Sequence, residues 1–594
     1  MTLTDRHMDE LKREQWLGFK AAKARYAKLL RREPRAIFPI AERAVGRNDR
    51  MAIVAIGEAL IERDALGLKP LRRDGFIGVL MTTLVEEGRF EQALQVFDSL
   101  TEADRTFAKA WVLRARALAA LVRLKDARQS LARALELDPK VRDGRRLMGL
   151  IEAQRALKPK VAEGAAGWAD FRRLTEAYLE LGLPAFASKL IGEALAGLPA
   201  PGPDDYEHGL AIFRAALPLA GPQFVLRQGR VLRRVAQDDR MKALFVECQI
   251  ALGRPEEGLG PEVGGRDMRL QRALAAAAAG DLDEAIGRLG RLTVKLREDL
   301  EVRAALGFCV GAHVLKQAPF ELRASGGPRR VFNLMPFNDE VALLKTHLAE
   351  MADWVDLFVI VESEVTFTGQ PKPLHFEKHR HEFAAYADKI RHLVVGEHPE
   401  AFHSPWGRDF RQRDLAIGAI SGLAAPDDLV LLTDVDEIID RKALEDFKGD
   451  FAGLKMRMFR FFLNYRPTAE NGPVRRTGAV LAARHLQRFG SSYARFDLAR
   501  NRDSQLIDDA GWHFTSMCDP ARLVAKINSY AHQERNSVWR DVDAVGQRLS
   551  GIRDGQFENG WERAEIDDSF PAYIREHQAE LDELLISAPA EEAS

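Results

Sequence analysis

Two spacings of apolar positions divide the chain. Up to about residue 315, apolar side chains recur every three to four residues in stretches rich in Ala, Leu and Arg, which predicts amphipathic helices throughout. Beyond that the spacing changes. Short apolar runs of strand length at 331–334, 357–362, 390–395 and 429–433 alternate with helical stretches at 339–351 and 408–421. Such alternation predicts a doubly wound α/β sheet. Runs at 455–463 and 478–483 predict further strands, with antiparallel pairing left open, and the last hundred residues or so read mainly as helix and loop. The Pro- and Gly-rich stretch 318–328 separates the two patterns. The predicted organisation is a helical domain at 1–315, a linker at 316–330 and an α/β domain at 331–594.

The helical half also repeats. Ala127 follows Ala93 by 34 residues, and Leu124 and Leu131 stand where Phe90 and Phe97 stood. Trp111 opens the second unit and Pro139 closes it. Small residues such as Ala127 and Ala134 let two antiparallel helices approach, while larger ones fill the space between repeats. This pattern resembles the tetratricopeptide repeat, whose period is about 34. The resemblance implies a helical solenoid with a concave surface for a protein or peptide partner; the other reading is a structural platform. Phe171, Tyr178, Gly182 and Ala187 fit one further unit, and Gly280, Leu282 and Ala285 another. Residues 142–165 and 198–203 read as breaks, and 10–70 as helical pairs without a frame.

Charge and composition narrow the function. With 87 basic and 88 acidic side chains the net charge is -1, which gives no footprint for nucleic acid. Three widely spaced cysteines exclude a disulfide framework and fit a reducing compartment. No apolar run approaches the roughly 18 residues of a membrane span, and the charged start at Met1–Arg6 has no apolar leader. The expectation is a soluble, cytoplasmic protein.

Candidate chemistry sits where the run 429–433 meets Asp434, Asp436 and Glu437. Ligands bind parallel sheets at the carboxyl ends of their strands. In an extended chain Asp434 and Asp436 point to one side and can share a cation. Hard oxygen ligands suit Mg²⁺ or Mn²⁺, ions that commonly neutralise a diphosphate. The bland alternative is a solvated turn at a strand end. Two further Asp-x-Asp triplets, at 281–283 and 541–543, follow no strand signal.

Several ordered blocks then carry a resemblance. They are Phe337-Asn338-Asp339-Glu340; Val361-Glu362-Ser363; Thr366-Phe367-Thr368-Gly369; Lys372-Pro373-Leu374; Trp406 with Arg413; Leu432–Glu437; Ala510-Gly511-Trp512-His513-Phe514; and Lys526 through His532 and Glu534. Together they resemble family 17 of the glycosyltransferases from Val331 to about Leu585, under half of the chain. The resemblance implies a GT-A (Rossmann-like) fold, a nucleotide-sugar donor with UDP-N-acetylglucosamine the first guess, a divalent cation and inversion at the anomeric carbon. Animal members carry a membrane anchor and act on glycoproteins. A helical front without an anchor looks more like a bacterial enzyme acting on a glycan, lipid-linked or protein acceptor.

Roles follow residue by residue. Asp436 is the expected direct metal ligand, with Asp434 on the metal or, instead, on the ribose or a metal-bound water. His513 is the third metal candidate, since late histidines return to the metal in GT-A enzymes; the other reading is a buried, hydrogen-bonded histidine. Asp509 is the preferred general base, just before the Gly-Trp-His block, with Glu534 or Glu437 as substitutes. Glu362, Thr366, Gly369, Lys372, Arg413 and Trp512 are candidate donor or substrate contacts. For Lys372 and Arg413 the alternative is a surface salt bridge, and for Trp512 a place in the core. A competing function is a repeat-based scaffold with a degenerate transferase domain. A nucleotidyltransferase or hydrolase reading lacks a Gly-rich phosphate loop.

Overall fold

The computed structural model describes residues 3–587 apart from 63–75, 101–104, 106, 236, 237, 256–264, 297, 446, 448, 473, 502 and 530–540. It forms two compact units. Residues 15–279 make one; residues 1–14 together with 280–594 make the other.

The first unit is helical. The helices Gly78–Glu86 and Phe90–Asp98, then Ala108–Ala120 and Leu124–Leu137, form successive hairpins across three-residue turns. Ala117, Ala127, Leu131 and Ala134 are fully buried, as the repeat spacing predicts. Trp111 packs edge-on against Phe97 at 4.8 Å. Gly88 ends its helix at φ +71°, with the Arg89 N–H donating to Leu84 O. One period later Val122 occupies the same turn at φ +63°, and the Arg123 N–H donates to Leu118 O. A β-branched residue is strained in that left-handed conformation. The stretch 142–165, read as a break, is instead mostly one helix, Gly144–Ala162.

The second unit is built on a mixed sheet. Its strands are β1 (Val331–Pro336), β2 (Leu357–Ser363), β3 (Ile390–Val395), β4 (Leu429–Leu432), β5 (Glu437–Ile439), β6 (Phe451–Arg460), β7 (Tyr465–Pro467), β8 (Val474–Ala482), β9 (Leu506–Ile507), β10 (Gly511–Thr515) and β11 (Trp561–Arg563). The spatial order is β3-β2-β1-β4-β8-β6-β10-β5, with β9 beside β6; β7 and β11 pair separately. The first four strands are parallel, and β8 is antiparallel to both β4 and β6. Strand β10, in a stretch expected to be helix and loop, runs parallel to β6 and antiparallel to β5.

Strand β4 is buried on both faces, and its side chains alternate between two cores. Leu429 and Leu431 join Leu344, Leu348 and Met351 of the helix Val341–Met351. Val430 and Leu432 join Ile417, Ile420 and Tyr493. This alternation is the period of two expected of a strand.

The unit begins earlier than the change of pattern suggests. The helices Leu282–Lys295 and Leu300–Gln317, read as part of the repeats, cluster with the sheet, and Ala304 lies in its second core. The helix Leu3–Gln15 does the same through Met8 and Leu11, and His7 Nδ1 lies 3.0 Å from the Tyr493 hydroxyl. Residues 318–328 are likewise tied to the sheet: the Arg323 N–H donates to Ala424 O. Among the described residues no helix is long and apolar enough to cross a membrane.

Candidate active site

Strand β4 ends at Leu432, and the chain turns through Val435 and Asp436 before re-entering the sheet as β5. The Glu437 N–H donates to Asp434 O at 3.0 Å, and the Asp434 N–H donates to Glu437 Oε2 at 2.9 Å. A buried polar link fixes this loop from the sheet side. Asn333 Nδ2 donates to Thr433 Oγ1, and the His347 ring lies 2.7 Å from Asn333 Oδ1 and 3.0 Å from Val435 O.

The turn separates the two aspartates that an extended chain would place together. Asp434 is clamped by two guanidiniums, Arg413 at 2.6 Å and Arg495 at 2.8 Å. Burial alone pushes its carboxyl up, but these two cations hold it well below the usual carboxylate range. Asp436 instead faces His513 Nε2 at 3.6 Å and Lys526 Nζ at 4.0 Å. Burial, partly offset by His513 and Lys526, pushes its carboxyl up to about 6. Glu437 is buried, and Arg495 reaches its two oxygens at 2.7 and 2.9 Å.

Among the described residues, one group of three can hold a cation. Asp436, Glu437 and His513 each offer a ligand atom, all within 4.8 Å of one another. Asp434, expected in this group, is committed to its two arginines. The donor set fits a divalent ion: two carboxylates and an imidazole, with His513 Nδ1 buried and making no hydrogen bond. Gly511 makes this register possible. It sits at φ +139°, and a Cβ there would lie 2.0 Å from Ile438 O, so β10 docks on β5 closely enough to set His513 opposite Glu437.

These residues open onto a cavity of about 1030 Å³. Its walls carry both signs of charge: Lys372, Arg413, Arg460, Arg495 and Lys526 on one side of the balance, and Glu340, Asp409, Asp434, Asp436 and Glu437 on the other. Lys526 is half-buried 2.9 Å from Glu340; burial lowers its ammonium, but the charges of Glu340 and Asp436 hold it above its usual range. Leu3 and Thr4 of the first helix and Arg303 and Ala304 of the helix Leu300–Gln317 complete the wall.

The other expected contacts divide. Thr366, Lys372 and Arg413 line the cavity. Lys372 also pairs with Glu362 at 3.4 Å, and burial pushes its ammonium down. Glu362 itself is fully buried and off the cavity. It accepts the backbone N–H groups of His375 and Phe376, capping the short helix His375–His379. Gly369, at φ +89°, closes a turn against Arg408. Trp512 belongs to the core: its Nε1–H donates to Ser569 O at 2.9 Å and Arg457 lies over its ring at 4.7 Å.

Asp509 is not brought to the site. It is exposed before the start of β10 and pairs with Arg457 at 2.9 Å, while Asp508 pairs with Lys455. Nearness in sequence misled here, because four residues of strand span roughly 13 Å. Glu437 reaches the site, where it pairs with Arg495 at 2.7 Å and stands among the three candidate metal ligands. His532 and Glu534 lie outside the described residues. Sequence reasoning missed Arg495, which carries no motif and meets Glu437 across 58 residues of chain.

Residues 316–548 match glycosyltransferase family 17, and residues 84–151 match the tetratricopeptide repeat. Two curated relatives, from Rattus norvegicus and Homo sapiens, are both named beta-1,4-mannosyl-glycoprotein 4-beta-N-acetylglucosaminyltransferase. Each is 35% identical to this chain over 120 residues. That stretch is 19% of this chain, and the chain spans 22% of the length of those relatives. Among solved structures, a tetratricopeptide repeat protein from Parabacteroides merdae aligns with 41% of this chain and 99% of its own, at 15% identity. The TM-score of that alignment is 0.18.

Proposed function

We propose that the sheet unit is a metal-dependent, inverting glycosyltransferase of GT-A type that moves a sugar from a nucleotide donor to a glycan, lipid-linked or protein acceptor. One observation carries this reading: Asp436, Glu437 and His513 converge at the carboxyl end of β4, inside a charged cavity and within the family 17 match. The names of the two relatives make UDP-N-acetylglucosamine the first donor to try. The repeats of residues 15–279 are proposed to recruit the acceptor or a partner protein.

Asp436, Glu437 and His513 would hold Mn²⁺ or Mg²⁺, which neutralises charge on the departing diphosphate. The chain's own residues do the rest. Arg495 and Arg413 fix the loop by clamping Asp434, so the ligands are pre-organised. Lys372 and Arg460, on the cavity wall, draw the diphosphate in.

The test is nucleotide release from a panel of UDP- and GDP-sugars with Mn²⁺, comparing the wild type with Asp436→Ala. The expected result is slow, metal-dependent hydrolysis of one donor that the variant lacks. A folded wild type that neither binds nor turns over any donor overturns the proposal and favours a scaffold.

A further inference from the structure

The carboxylates of the cavity wall sit beside cations. Glu340 pairs with Lys526, Asp409 with Arg413, and Glu437 with Arg495; Asp434 is clamped by both arginines, and Asp436 faces His513 and Lys526. Asp497 differs. It also lines the cavity, its Oδ1 is 3.6 Å from the Arg303 guanidinium, and its Oδ2 is buried without a hydrogen-bond partner. Only 8% of the residue is exposed. A buried, under-satisfied carboxylate on a cavity wall is costly and calls for a use.

The backbone there is unusual too. Asp497 lies in a π-turn, Ala494–Leu498, a wide turn that often marks functional sites. The same turn carries Arg495 to Asp434 and Glu437, which links Asp497 to the loop after β4 through one short segment. Its partner Arg303 comes from the helix Leu300–Gln317, outside the family match, and lies over the Trp406 ring at 5.3 Å. The charged groups facing Asp497 are Arg303, from that helix, and Arg500, just beyond the turn.

We propose that Asp497 is the general base of the transfer, held in place by Arg303. This rests on the transferase reading above. The acceptor O–H bond breaks and its proton passes to the Asp497 carboxylate. The acceptor oxygen bonds to the anomeric carbon as the bond from that carbon to the diphosphate oxygen breaks, and the nucleoside diphosphate leaves with the electron pair. Water takes the acceptor's place in donor hydrolysis. Asp497 is the catalytic residue and Arg303 a positioning residue.

The test compares wild type, Asp497→Asn, Asp497→Ser, Arg303→Lys and Arg303→Leu. UDP binding with Mn²⁺ is measured by calorimetry, beside the kcat and KM for hydrolysis of the donor found in the panel. Both Asp497 variants are expected to bind UDP within about twofold of wild type and to lose at least 100-fold in kcat, the range of general-base catalysis. Arg303→Leu is expected to lower kcat with little change in KM, and Arg303→Lys to restore most of it. An Asp497 variant that turns over donor within threefold of wild type overturns the role. So does one that loses nucleotide binding together with turnover, since that marks a structural or donor-binding group. A wild type that binds no nucleotide at all sinks the transferase reading itself and takes this role with it.

Discussion

The two units bury charge differently. The helical unit fills its interior with Ala, Leu, Ile and Phe, and its main buried ion cluster is Glu58 with Lys23 and Arg89. The sheet unit buries Glu362, Asp409, Asp414, Asp436, Glu437, Arg495 and Asp497, and five of these cluster at one cavity with Asp434. Buried charge costs several kcal/mol per ion unless it is paired well. Among the described residues the helical unit buries few charges, Glu58 and Arg272, in a core that is otherwise mostly apolar. The sheet unit accepts an electrostatic cost, and perturbed carboxyls gathered in one cavity mark where chemistry is done.

The sharpest way to break this contrast is to remove one charge from the cavity. Asp436→Ala is expected to reduce metal-dependent donor turnover by about 10³-fold, equivalent to about 4 kcal/mol. Steady-state nucleotide release checks it. Arg495→Leu comes next. It leaves Glu437 buried and Asp434 half-clamped, so urea unfolding is expected to show a loss of about 3–5 kcal/mol.

Asp497→Asn tests the sign of the cost. Burial pushes this carboxyl up to about 6, with Arg303 and Arg500 opposing. A folded-state value above the unfolded one means the folded protein binds the proton more tightly. The wild type therefore carries a penalty that is complete above about pH 6 and gone below about pH 4. The variant should be more stable than wild type at pH 8 by on the order of 2 kcal/mol, and the gain should vanish as the pH falls to 4. Thermal unfolding across that range reads it, and a constant difference at every pH would contradict it.

The smallest effect belongs to the helical unit, where only packing and backbone geometry are at stake. Val122→Gly should raise stability by about 1 kcal/mol, because the side chain is half exposed and its left-handed turn is strained. A loss on chemical denaturation would refute the idea that strain, not contact, dominates there.

Strands β1 to β4 and the two-faced burial of β4 were legible because short apolar runs alternating with helical stretches have few other fates. The helical hairpins at 78–137 were legible through their 34-residue echo. Strand β10 was not: Gly511–Thr515 is short, and its glycine answers to the Ile438 carbonyl opposite, a contact local sequence does not encode. The Asp434/Asp436 pair was found but its geometry was misjudged, since a turn at Val435 replaced the extended chain. Helices 282–317 have the same period as the repeats. A period tells that a face is buried and not what covers it. Arg495 lay hidden because an arginine in a helical stretch is ordinary until its partners are known.

The helix Leu3–Gln15 has a consequence for how the protein is made. His7 meets Tyr493 across 486 residues, and Lys12 meets Asp503 across 491. The helical unit is thus an insertion in the chain of the sheet unit. At about 5–20 residues per second, roughly half a minute to a minute and a half of synthesis separates this helix from its partners. Met8 and Leu11 must wait uncovered on the ribosome through that interval, while residues 15–279 can already fold. This helix is among the last parts of the sheet unit to be seated, and a chaperone has reason to attend it.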